Sequence, residues 1–170
     1  MKRAVFVLCV VLWLAQLGMT QAQPDQYPTP WHRTWEPFWN VGIGYPETAS
    51  VGAAIVIGKH RTTSIRGNGQ IRGLLASIEP GIGAATARLG FANLCEYDAG
   101  QDGFSIEAVY SHPWGLRWGP DLNKNYVGPG ATYYKNYLRI SGAILISTAG
   151  PYKHVAPSFT VGFWFPPRSR

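Results

Sequence analysis

YLRISGAILIS, residues Tyr137 to Ser147, holds two different rows of side chains. Every second residue, Leu138, Ile140, Gly142, Ile144 and Ile146, forms an almost wholly apolar row. The alternate row, Tyr137, Arg139, Ser141, Ala143, Leu145 and Ser147, is small, mixed and carries one charge. Side chains of a strand point alternately to its two faces, so the stretch predicts a β-strand with one greasy face and one packed, partly polar face.

The same alternation recurs along the chain. Trp39, Val41, Ile43 and Tyr45 oppose Asn40, Gly42 and Gly44, and after the turn at Pro46 the apolar row becomes Val51, Ala53, Ile55 and Ile57. Leu74, Ala76 and Ile78 oppose Leu75, Ser77 and Glu79, and the phase flips near Gly83 so that Ala85, Ala87, Leu89 and Phe91 oppose Thr86, Arg88 and Gly90. Phe104 to Ser111, Tyr126 to Tyr134 (interrupted by Gly128-Pro129-Gly130) and Val155 to Phe165 complete the series. Lys59 to Gln70, Cys95 to Gly103 and His112 to Asn125 read as polar or glycine- and proline-rich connectors. The sum is about eight strands, the number a small closed sheet needs. The predicted class is all-β, a small antiparallel up-and-down barrel spanning 39–165.

The ends read differently. Lys2, Arg3, the apolar run Ala4 to Leu14 and Thr20-Gln21-Ala22 have the three-part pattern of a secretory signal peptide over 1–22. The apolar run is shorter than the roughly 20 residues of a spanning helix. Residues 23–38 read as a lead-in rich in proline and aromatics, with Pro24, Pro28, Pro30 and Pro37 interrupting regular structure, and 166–170 as a C-terminal tail. Loss of 1–22 would leave Cys95 as the sole cysteine, so no internal disulfide could form.

The remaining question is the medium around the sheet. Only 14% of residues are charged, against about 25% in an average soluble domain, while aromatics reach 14%. The lesser row is mostly Gly, Ala, Ser and Thr with sparse charges, Glu79, Arg88, Glu107 and Arg139, which suits a narrow filled interior where ions pair. The apolar row then faces hydrocarbon, the membrane type of barrel. With its closing FTVGFWF strand, the chain resembles the small outer-membrane β-barrel proteins of Gram-negative bacteria. The resemblance covers Trp39 to Phe165 at the level of pattern and implies outer-membrane lipid and the barrel assembly machinery as partners.

Four site expectations follow. Glu79, Arg88, Glu107 and Arg139 form an interior charge network, with Arg139 directed towards Glu79 or Glu107. Trp31, Trp35, Trp114 and Trp118 are interfacial aromatics at the membrane boundary. The histidines His32, His60, His112 and His154 fall in loops or tails without metal-ligand spacing, so neither a metal nor a cofactor is expected. Basic residues such as Lys59, Arg61, Arg66 and Arg72 look scattered, which argues against nucleic-acid binding. The leading expectation is a non-enzymatic, exported outer-membrane barrel with a structural, adhesion or surface-interaction role. The alternatives are a periplasmic or secreted lipocalin-like carrier of an apolar ligand and, third, an outer-membrane lipid hydrolase using Ser111 with His112 or Ser158 with His154.

Overall fold

The computed structural model describes residues 29–63, 68–97, 100–114, 124–149 and 154–165. The segments 1–22 and 166–170, and Trp118, lie outside the described residues.

Eight antiparallel strands follow one another in chain order: β1 (His32–Tyr45), β2 (Thr48–Thr62), β3 (Gly69–Pro80), β4 (Ala84–Tyr97), β5 (Gly100–Pro113), β6 (Tyr126–Lys135), β7 (Leu138–Ser147) and β8 (Val155–Phe165). Each pairs with the next, and β8 returns to β1, closing the barrel. β7 alternates without exception, from exposed Leu138 and buried Arg139 to exposed Ile146 and buried Ser147.

The register fixes the shape. Starting at His32 and stepping across each ladder leads through His60, Ile71, Leu94, Gly103, Tyr134, Arg139 and Gly162 to Gly42. The circuit returns to β1 ten residues beyond its start, since 42 − 32 = 10. With the usual strand spacing and rise, eight strands with that stagger tilt by about 40° and close at a radius of roughly 8 Å. Such a barrel has room for side chains and little else.

Several boundaries differ from the sequence reading. β1 begins at His32, so His32 to Phe38 of the expected lead-in belong to the barrel, Pro37 included. β1 pairs with β2 from His32 onward but meets β8 only from Trp39 to Tyr45. Pro37 therefore sits where β1 is an open edge, and proline is tolerated on edges. The polar connectors at Lys59 to Gln70 and Cys95 to Gly103 shrink to 63–68 and 98–99, because their flanks pair with one another as strand. His112 and Pro113 likewise end β5 rather than opening a loop. β6 is unbroken, although its ladder to β7 omits Gly128 and Pro129 while its ladder to β5 continues through them.

The interior is layered. Phe38 stacks on Trp164 with ring centroids 4.1 Å apart, Tyr134 lies 4.6 Å from Trp164, and Val56, Ile71, Leu75 and Leu94 pack with them. This apolar plug fills the end where β1 enters and β8 leaves. A second cluster, Val109, Tyr126, Ala143, Leu145 and Ala156, lies towards the other end. β4 runs from Leu94 and Ala92 of the plug to Arg88, and β5 from Glu107 to Val109 of the second cluster. The charges therefore occupy the middle of the lumen.

Candidate functional site: an ion-paired lumen inside an apolar belt

Glu79 is inward on β3 because Leu74, Ala76 and Ile78 take the outward parity. Arg139 is inward on β7, the strand opposite β3 in a ring of eight. Its Nη1 and Nη2 donate to Glu79 Oε1 and Oε2 at 2.6 and 2.5 Å, a bidentate pair across the lumen. Arg88 Nε lies 3.3 Å from Glu79 Oε1, and Arg88 Nη1 donates to Glu107 Oε2 at 3.2 Å. Glu107 Oε1 accepts from Ser105 Oγ at 2.5 Å, and Ser105 Oγ lies 3.3 Å from Tyr134 OH. Each carboxylate and guanidinium is almost fully buried. The structure thus joins all four charges in one chain, Arg139–Glu79–Arg88–Glu107, whose formal charges cancel. A buried ion demands such balance, because desolvation costs several kcal/mol per ion when it stands alone.

Around this chain the lumen is polar and partly unpartnered. The Asn40 amide and the hydroxyls of Ser50, Ser77, Ser158 and Thr160 have no hydrogen-bond partner within the described protein. Buried polar groups on four strands suit ordered water and not an apolar guest. Glu47, in the turn between β1 and β2, is also buried and accepts a hydrogen bond from Thr86 Oγ1. No simple sequence signal separates Asn40 or Glu47 from other polar residues beside a glycine-rich strand.

A second polar group sits at the β1-entry end. His60 Nδ1 lies 3.1 Å from His32 Nε2, His60 Nε2 lies 3.0 Å from Glu96 Oε2, and Gln101 Nε2 donates to Glu96 Oε1 at 2.9 Å. His32, His60 and His112 are strand residues, contrary to the loop assignment. Their strands run past the apolar residues into polar sequence, where alternation of hydrophobicity no longer reports them. Among the described residues no group of three His, Cys, Asp or Glu side chains is arranged to hold a metal ion.

Three of the four residues of the hydrolase alternative, Ser111, His112 and Ser158, lie on strands. Ser111 and Ser158 are buried on the inward parity, while His112 takes the opposite parity and lies 2.7 Å from Asn125 Oδ1. The backbone N–H of His154 donates to Ser147 Oγ at 3.0 Å, and His154 lies outside β8.

Outside, the pattern inverts. Every strand exposes large apolar or aromatic side chains: Trp35 and Ile43 on β1, Ile57 on β2, Leu74 and Ile78 on β3, Leu89 and Phe91 on β4. Ile106, Val127, Ile140, Ile144, Phe159 and Phe163 continue the belt over β5 to β8. Of the expected interfacial aromatics, Trp31 and Trp35 lie at the β1-entry end, 36% and 67% exposed, and Trp114 at the other end, 44% exposed. Trp114 Nε1 donates to the Ile82 carbonyl, which holds the ring against the turn between β3 and β4.

Comparison with protein-family models, with curated proteins and with solved structures finds no match to this chain.

Proposed function

We propose that the chain is an integral outer-membrane β-barrel without enzymatic activity, closed to solute flow, whose role is structural, adhesive or surface-interactive. The observation that supports the reading is the inversion itself: ion pairs and hydroxyls within, a continuous apolar belt without. In water, the exposed belt would forgo roughly 1.5–3 kcal/mol for each large side chain left unburied. In hydrocarbon it costs nothing, and the closed ladder leaves no strand edge along the paired seam. Ten-residue β7, tilted by about 40°, spans about 25 Å, the height of the lipid-facing band in barrels of this kind.

A carrier of an apolar ligand needs an apolar cavity, whereas here aromatic stacking fills one end of the lumen and ions fill its middle. Envelope fractionation of the full chain tests the membrane reading. The protein is expected to stay with the outer-membrane pellet through a carbonate wash and to migrate faster on a gel when unheated than when boiled. Release by carbonate would sink it.

A further inference from the structure

Three cations that look dispersed in the sequence stand side by side in the barrel. The register pairs Arg33 with Lys59 and Lys59 with Arg72, so the three occupy one cross-strand row on β1, β2 and β3. All three are exposed and on the outward parity, the parity of Trp35, Ile57 and Leu74. Like charges directly opposite one another destabilise a sheet, so the row carries an intrinsic cost. No carboxylate of the described residues pairs with any of them. Arg72 Nε instead donates to Asn93 Oδ1 at 3.1 Å, and its guanidinium lies 5.6 Å from the centre of the Trp31 ring. Arg61, one step nearer the rim, is 4.7 Å from the same ring.

The neighbouring row decides what offsets the charge. Trp35 pairs with Ile57 and Ile57 with Leu74, so an apolar row lies two residues from the cationic one, a step of roughly 6.5 Å along the strands. A free anion would use only the cations. A molecule with an anionic phosphate and acyl chains would use both rows together.

We propose that Arg33, Lys59 and Arg72 form a binding site for the phosphate of an anionic glycerophospholipid, whose acyl chains lie along Trp35, Ile57 and Leu74. Trp31 holds the guanidiniums of Arg61 and Arg72 at the headgroup level by cation–π contact, leaving their charge available. The site rests on the membrane reading above but is separable from it.

The test uses the full chain folded into phosphatidylcholine vesicles containing a minor fraction of either brominated phosphatidylglycerol or brominated phosphatidylcholine, with tryptophan quenching as the readout. The wild-type protein is expected to prefer phosphatidylglycerol by about tenfold, as juxtamembrane cations attract anionic headgroups. The Arg33→Gln/Lys59→Gln/Arg72→Gln variant, with its fold checked by gel mobility, is expected to show no preference. If that variant does not fold, Lys59→Gln alone is read, with an expected loss of at least twofold. Preference unchanged in the variant, or absent from the wild type while both lipids quench, overturns the site and leaves the barrel reading standing. Preference abolished by millimolar inorganic phosphate reassigns the row to a free anion and overturns the lipid assignment. Quenching by neither lipid defeats the membrane reading and the site with it.

Discussion

Arg139 is the side chain on which the lumen depends most. It alone reaches Glu79 from the opposite wall, with both of its terminal nitrogens engaged. Arg139→Met leaves two carboxylates facing one guanidinium in a buried lumen, and breaking a buried pair on one side costs about 3–5 kcal/mol. Replacing Glu79 as well, in Arg139→Met/Glu79→Met, leaves the Arg88–Glu107 pair intact and neutral at 3.2 Å. The double variant is therefore expected to recover much of the loss. Urea unfolding midpoints of the four proteins in one detergent check this, and additivity of the two single losses would contradict a direct coupling. The four charges themselves were legible in the sequence, because each sits on the small-residue parity of its strand. Their pairing was only half legible: parity sent Arg139 inward but left Glu79 and Glu107 open as partners. The choice belongs to the stagger, which brings residues 60 positions apart into contact.

At the level of elements, the weakest join is the one that closes the ring. β1 is joined to β8 only from Trp39 to Tyr45, and at its centre two inward glycines, Gly42 and Gly162, face each other. A Cβ on Gly162 would lie 2.6 Å from Gly42 Cα and would also strike the Val41 carbonyl oxygen. Gly142, outward on β7, has open space: its Cβ would meet nothing nearer than Ser158 O at 4.0 Å. Gly162→Val should thus destabilise the barrel by about 1–3 kcal/mol or more through overpacking. Gly142→Ala should be neutral or stabilise it by about 0.5 kcal/mol, since glycine weakens a strand interior. The fraction retaining the compact form on unheated gels across a temperature series measures both, and equal behaviour of the two variants would refute the seam argument. Strand identity was legible wherever apolar alternation persisted, as along β7. It failed at His32 to Phe38, where Pro37 reads as a breaker although it occupies an open edge, and at Lys59 to Thr62, where polar residues continue a paired strand. The cationic row was lost for the same reason. Arg33, Lys59 and Arg72 become neighbours only through registers that local pattern does not encode.

For the whole molecule, the decisive property is that its outside is more apolar than its middle. A soluble barrel and a membrane barrel of this same fold would answer differently to a charge placed on the outer face. In water, replacing an exposed isoleucine by arginine changes stability by less than about 0.5 kcal/mol. In a bilayer the cost depends on depth, about 2–4 kcal/mol at the midplane and about 0–1 near the interfaces. β7 supplies the ruler, because Leu138, Ile140, Ile144 and Ile146 are outward and exposed at successive heights on one strand. Arginine at Ile140 or Ile144, which flank the strand centre at Gly142, is expected to cost the most, and arginine at Leu138 or Ile146 the least. The profile is read from denaturant unfolding of each variant folded into phosphatidylcholine vesicles. Inward Ser141 serves as an internal reference, since a change there disturbs the lumen whatever surrounds the barrel. A flat profile at all four outward positions would remove lipid as the medium. A peak at the strand centre would locate the bilayer midplane on the molecule, and the row of Arg33, Lys59 and Arg72 would then lie towards its boundary.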